Sequence, residues 1–395
     1  MIASALLAFA AYNSTLPQAT QTKFEVPFRI ADNAIIVDSV VNGKTVSCMF
    51  DSGFSGAFVM NTTVNLGKPT GTMLLRDFVG QFEAPTIAIK SLELGGKKLD
   101  STGMEAVMQD MSTLSLSYGQ HCDGIMGFEI ISHNIVEINF QQKKFIFHPR
   151  SEFDITKKVP DNNKTFMVKM LPKGHNSIEL SAESPAGKKL YLALDTGNGF
   201  YATTHKDVLE RTGLWKEGSK PKFIKQSWVA SGPVDSWSLR LKDMKIFGVP
   251  VKDSVWDIID APSSSADHDG TVGFQFLKNF NVTIDVEQRR VWLERITEDV
   301  GNKPEGDAGV TAVWDPSRKR MTIVHVTPEG PAEKLGVKRG DDLLSVDGKE
   351  LTNLSFDQMR EILAGPVGSK VSLATSRDGN LLRYDIERVP LVNEP

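Results

Sequence analysis

The sequence predicts a mainly β protein: two related β lobes in tandem, set about a pseudo-two-fold axis, followed by a smaller mixed unit. Three observations carry this. Apolar runs are short, rich in β-branched residues and punctuated by Asn-Gly, Gly-Gly and Asp-Gly pairs, as in hairpin-rich chains. One programme occurs twice: an apolar strand runs into Asp-Ser/Thr-Gly, an Asp-Gly-apolar-apolar-Gly segment follows, and then come two more strands. The first interval, Asp51 to Asp123, is 72 residues (123 − 51), and the second, Asp195 to Asp269, is 74 (269 − 195). Beyond a polar, Gly/Pro-bearing stretch the pattern changes to strands alternating with helices.

A chain of 395 residues exceeds one ordinary core. The boundaries read as 1–21 leader, 22–150 first lobe, 151–297 second lobe, 298–307 linker and 308–391 third unit. Hydrophobic content of 40% with 24% charged residues fits a soluble globular protein. A net charge of −4 and no Lys/Arg cluster argue against a nucleic-acid partner. Met1 to Ala10 resemble the apolar core of a signal peptide, with Ala8-Phe9-Ala10 as its small-residue end and no basic residues ahead of it. The expectation is export to the periplasm or the extracellular space, or attachment to a membrane through a short N-terminal anchor. No later run of 18 apolar residues exists to span a bilayer.

In order, Ala34-Ile35-Ile36-Val37 and Lys44-Thr45-Val46 flank Asn42-Gly43, the strongest short hairpin signal. The second arm continues through Cys48-Met49-Phe50 into Asp51-Ser52-Gly53. Ile135 to Phe140 and Lys144 to Phe147 are strands about the turn Gln141-Gln142-Lys143. In the second copy Leu190-Tyr191-Leu192-Ala193-Leu194 runs into Asp195-Thr196-Gly197. Phe280 to Asp285 and Arg290 to Glu294 repeat the closing strands. In the third unit Pro331 to Gly336 is a short helix, Ser355 N-caps a helix to Leu363, and Asp347-Gly348 and Asp378-Gly379 are hairpin turns.

An apolar strand that ends on a carboxylate needs something to offset desolvation. The repeat supplies it. Packed about the axis, Asp51 and Asp195 meet and share a proton, because two touching carboxylates cannot both ionise cheaply. Ser52 and Thr196 offer hydroxyls to brace the two loops, and Gly53 and Gly197 let backbone N–H groups approach. The pair resembles the active-site pair of aspartic proteases. Gly124-Ile125-Met126-Gly127 and Gly270-Thr271-Val272-Gly273 resemble the apolar-apolar-glycine segment beside each catalytic strand. The style is that of retropepsin-like units, here fused in one chain over residues 24–296. The resemblance implies an aspartic endopeptidase active as a monomer, using no cofactor and no metal. Asp51 and Asp195 would activate water for attack on a polypeptide substrate. It also implies a flap from each lobe, with Phe78-Val79-Gly80-Gln81 and Ala230-Ser231-Gly232-Pro233 as candidates, neither matching a flap motif well. The residues after the triplets differ, Phe54-Ser55 against Asn198-Gly199.

Residues 308–390 resemble a PDZ domain through Pro331 to Asp341 and Val346-Asp347-Gly348. That resemblance implies strand addition of a peptide, often a free C-terminus, with Gly309, Val310, Met359 and Ile362 at the groove. The PDZ unit would recruit or position polypeptide. The rival function is a catalytically silent peptide-binding protein built from the same modules. Gly43-Lys44-Thr45 lacks the upstream glycine of a P-loop, and no H-E-x-x-H occurs. Cys48 and Cys122 fall on strands that are neighbours in the resembled fold. A disulfide and two buried thiols are both consistent with that.

Overall fold

The computed structural model describes residues 22–76, 81–111, 115, 118–172, 177–229, 232–259 and 269–395. The leader-like start and the expected flap tips, 78–80 and 230–231, lie outside these residues.

The first unit comprises β1 (Phe24–Pro27), β2 (Arg29–Ala31), β3 (Ala34–Val41), β4 (Lys44–Asp51), β5 (Phe58–Asn61), β6 (Gly71–Arg76), β7 (Gln81–Ala88), β8 (Leu92–Leu94), β9 (Lys97–Leu99), β10 (Glu105–Gln109), β11 (Gly124–Gly127), α1 (Glu129–Ser132), β12 (Ile135–Asn139) and β13 (Lys144–His148). The second comprises β14 (Thr165–Lys169), β15 (Glu179–Glu183), β16 (Lys189–Leu194), β17 (Ala202–His205), α2 (Lys206–Thr212), β18 (Lys225–Val229), β19 (Gly232–Ile246), β20 (Val249–Ile259), β21 (Gly270–Val272), α3 (Phe274–Leu277), β22 (Phe280–Asp285) and β23 (Arg290–Arg295). The third comprises β24 (Val310–Asp315), β25 (Arg320–Val326), α4 (Pro331–Lys334), β26 (Asp342–Val346), β27 (Lys349–Glu350), α5 (Phe356–Leu363), β28 (Lys370–Arg377) and β29 (Asn380–Glu387).

Among the described residues, the first sheet runs β6-β7-β10-β5-β11-β4-β3 and continues to β8-β9. The second runs β18-β19-β20-β17-β21-β16-β15. Strand for strand the two orders correspond. Each has a parallel pair beside its acidic strand, β11 on β4 and β21 on β16. A third sheet, β1-β13-β12-β22-β23-β14, takes half its strands from each unit, and β12 pairs antiparallel with β22 at its centre. One continuous apolar core runs through both units, from Phe24 to Val300. The third unit has its own core around Ile323, Val346 and Leu373.

Local chemistry accounts for the turns. Asn42-Gly43, Asp347-Gly348 and Asp378-Gly379 all take positive φ at both residues, as two-residue hairpins require. At Ser355 the hydroxyl accepts the Gln358 N–H, and the Gln358 side chain returns to the Ser355 N–H. This capping box starts α5. The equivalent helices α1 and α3, and α2 in the second unit, lie where the sequence analysis assigned no element.

The stretch read as a linker is pinned. The Tyr201 hydroxyl donates to the Val300 carbonyl at 2.8 Å, and Asn302 Oδ1 accepts the Val255 N–H at 2.8 Å. The third unit docks on both others. Asn33 Nδ2 donates to Asp357 Oδ2 at 2.5 Å, His325 Nε2 meets the Ile224 carbonyl at 3.1 Å, and Asn393 bonds Lys222, Ser238 and Arg240 of the second unit.

Candidate active site

β4 and β16 each deliver an aspartate into a tight turn, and the two turns meet. The Asp51 and Asp195 carboxyls meet there, each lying against the glycine of the opposite turn and each acting on the other's titration. Asp195 is buried and Asp51 half-buried. Asp51 Oδ1 accepts the N–H groups of Gly53 at 2.8 Å and Phe54 at 3.2 Å. In the same way Asp195 Oδ1 accepts those of Gly197 at 2.9 Å and Asn198 at 3.0 Å. Each glycine also admits the opposite carboxyl. A Cβ on Gly53 would lie 2.7 Å from Asp195 Cγ, and one on Gly197 would collide with Asp51 Cγ.

The flanking hydroxyls cross over. Ser52 Oγ donates to the Leu194 carbonyl at 2.8 Å and accepts the Thr196 N–H at 3.0 Å. Thr196 Oγ1 donates to the Phe50 carbonyl at 2.9 Å and accepts the Ser52 N–H at 3.0 Å. All four bonds are buried and join one unit to the other. They pair the Ser52 and Thr196 N–H groups and the Phe50 and Leu194 carbonyls beneath the carboxyls, where an unpaired group would cost most.

Burial raises both carboxyls. The Asp195 carboxyl is raised well above its usual range, because Asp51's charge and the hydrogen bond between them add to desolvation. On Asp51 the hydrogen bond from Asp195 and the loop N–H groups oppose the desolvation. The two carboxyls therefore titrate as a pair and not singly.

The glycine-bounded segments have a steric reason. A Cβ on Gly127 would strike the Gly56 carbonyl, and one on Gly273 the Phe200 carbonyl, so the loop after each aspartate can cross the neighbouring strand only over glycine. The second aspartate of each copy is a brace. Asp123 Oδ2 accepts the Ser47 N–H at 2.9 Å, and Asp269 Oδ2 accepts the Tyr191 N–H at 2.9 Å, each on the strand leading to Asp51 or Asp195.

The two loops then differ. Phe54 packs with Val59, Ala84 and Val107 of its own sheet. Asn198 is held by polar contacts, its Nδ2 donating to Thr203 Oγ1 at 2.9 Å and Thr271 Oγ1 at 2.7 Å. The hairpins β6–β7 and β18–β19 occupy corresponding places in the two sheets, and their last described pairs are Arg76–Gln81 and Val229–Gly232. Tyr118 was missed by sequence reasoning. It packs against Met49 and Cys122, and burial raises its phenol, with the charges of Asp51 and Asp195 adding to the shift. It belongs to no motif, so no local signal marked it. Cys48 and Cys122 are free thiols, Cys48 against Met60 Sδ and Cys122 donating to the Gly124 carbonyl.

In the third unit Val310 and Met359 line a cavity between β24 and α5, together with Ala312 and Leu363. Gly309 stands just ahead of β24. Ile362 packs against that unit's core, and its carbonyl accepts from Arg388.

Residues 322–377 match the family model described as PDZ domain. The third unit is a PDZ domain. Two relatives, from Brucella suis biovar 1 and Brucella melitensis biotype 1, are each 33% identical to this chain over 72 residues. Their names assign them provisionally to the zinc metalloproteases. The match covers 18% of this chain and 18% of each relative, so the chain spans under a fifth of their length. A solved structure, the photosystem II D1 C-terminal processing protease, is 25% identical and covers 23% of this chain and 25% of its own, with a TM-score of 0.22. Among the described residues no three His, Cys, Asp or Glu side chains gather as a metal site. Nor is any helix among them long and apolar enough to cross a membrane.

Proposed function

We propose that this chain is a single-chain aspartic endopeptidase. Its two units, related by a pseudo-two-fold axis, supply one carboxyl each, and its PDZ domain recruits or positions the polypeptide. The meeting of the Asp51 and Asp195 carboxyls, each against the glycine of the opposite loop, carries the reading. The crossed Ser52 and Thr196 bonds and the matching strand orders support it. The names of the Brucella relatives support peptidase chemistry in general.

In this mechanism Asp51, ionised, takes a proton from a water held between the carboxyls. Asp195, protonated, donates a hydrogen bond to the scissile carbonyl oxygen and stabilises the charge that develops there. The water oxygen bonds to the carbonyl carbon, the C–N bond breaks, and the proton on Asp51 passes to the leaving amine. The loop N–H groups hold each Oδ1 fixed throughout, so the outer oxygens act without reorganisation. Export to the periplasm or the extracellular space belongs to this proposal on the leader-like start alone.

The test is cleavage of a denatured protein and of mixed peptides across pH. Asp51→Asn and Asp195→Asn are each expected to lower turnover by at least about 100-fold. Undiminished cleavage by Asp51→Asn would sink the mechanism. Cleavage abolished by a chelator and retained by Asp51→Asn would point to the metal-dependent class of the relatives.

A further inference from the structure

β24 lies at the edge of its sheet, paired with β25 on one side and facing α5 on the other. An open edge beside a helix accepts an extended chain as an added strand. The cavity there measures about 520 Å3. Its PDZ side is Val310, Ala312, Met359 and Leu363, and its opposite wall belongs to the second unit, with Phe200 and Lys225. Phe200 sits five residues beyond Asp195, and its carbonyl accepts the Gln275 N–H at 3.2 Å. A chain laid along β24 therefore also touches the loop that leaves the candidate active site.

The end of the groove is already filled. A free carboxylate would be received by backbone N–H groups just ahead of β24. Here the Gly309 N–H donates to Asp307 Oδ1 at 2.6 Å. Asp307 is itself fixed, its N–H donating to the Val389 carbonyl at 2.9 Å and its carbonyl accepting the Val389 N–H at 3.2 Å. Leu391 closes over the same point, its Cδ1 3.4 Å from where a Gly309 Cβ would stand. An incoming carboxylate would meet a spent donor, a second carboxyl group and an apolar side chain.

We propose that this groove binds an internal, extended segment of a polypeptide rather than a free carboxyl end, and holds it against the Phe200 loop of the second unit. The inference deepens the recruiting role proposed above for the PDZ domain and rests on it. It does not depend on aspartic catalysis.

The test uses the full chain carrying Asp51→Asn and two display pools of random peptides. In one the random segment ends in a free carboxylate; in the other it is internal to the carrier. The internal pool should be enriched at least about tenfold over the free-end pool, roughly 1.4 kcal/mol of preference. Hydrogen-exchange protection on binding should fall on residues 310–315. Asp307→Asn keeps an acceptor for the Gly309 N–H and should keep the preference. Asp307→Ala frees that donor and should raise free-end binding. Enrichment of the free-end pool by the parent protein, no enrichment of either pool, no protection along 310–315, or an Asp307→Ala preference identical to the parent's would each overturn the proposal. Because binding is read without turnover, failure of the protease reading would leave these results unchanged.

Discussion

Asp195 couples chemistry to stability. Its carboxyl is raised from 3.8 in the folded chain. Between 3.8 and the raised value the folded state holds a proton that the unfolded state has released. Stability therefore falls as pH rises through that window. Asp195→Asn removes this cost. At neutral pH the variant should melt higher than the parent, by about 2–4 °C for each kcal/mol recovered. Below the ordinary carboxyl range the two melting curves should converge. Parent activity should rise as the first carboxyl of the pair ionises and fall as the shared proton is lost, with the upper limb above the usual carboxylate range. Ser52 is a separate case. Ser52→Ala leaves the Leu194 carbonyl and the Thr196 N–H buried without partners and should cost about 2–4 kcal/mol in denaturant unfolding. Thr196→Ser keeps the hydroxyl and should cost far less. These residues were legible because Asp-Ser-Gly and Asp-Thr-Gly recur at one point of a repeat. Tyr118 and Asp307 were not, since Met49 and Val389, which help place them, lie far away in sequence.

At the scale of elements, docking of α5 rests on its first turn. Asp357 accepts from Asn33, and Asn33 in turn lies close to Gly199 in the loop after Asp195: its Cβ is 3.7 Å from where a Gly199 Cβ would stand. One turn, Asp32-Asn33, thus touches the PDZ helix and the second candidate catalytic loop. Asn33→Ala removes a hydrogen bond to a charged group, worth about 1.5–3 kcal/mol. Exchange should quicken at residues 355–359 and in loop 197–201, while the PDZ core around Ile323 and Leu373 keeps its protection. Unchanged exchange at both places would show that the turn transmits nothing. The hairpins and α5 could be read from turn pairs and a capping residue, which are local signals. The docking could not: Asn33 and Asp357 are 324 positions apart, and neither belongs to a motif. The stretch after Glu298 misled for the same reason. Its Gly/Pro composition reads as a tether, yet Val300 and Asn302 are fixed by Tyr201 and Val255.

For the whole molecule, the repeat made the two units visible, because the braces Asp123 and Asp269 and the glycines at 127 and 273 answer the same steric demand twice. The shared sheet was not visible, since nothing in β12 names β22 as its partner. That sheet has a kinetic consequence. Units that meet as separate chains lose their site on dilution, because association follows mass action. Here β12 and β22 pair within one backbone, and the apolar core passes through both units. Peptidase activity per molecule should stay constant as the protein is diluted, and a fall at low concentration would mean that a second copy completes the site. Carrying both units on one backbone also frees each from being identical to the other. Phe54 can serve as greasy packing while Asn198 serves as a polar clamp, so one chain can shape the two sides of a cleft separately, where a self-associating half must present the same side twice.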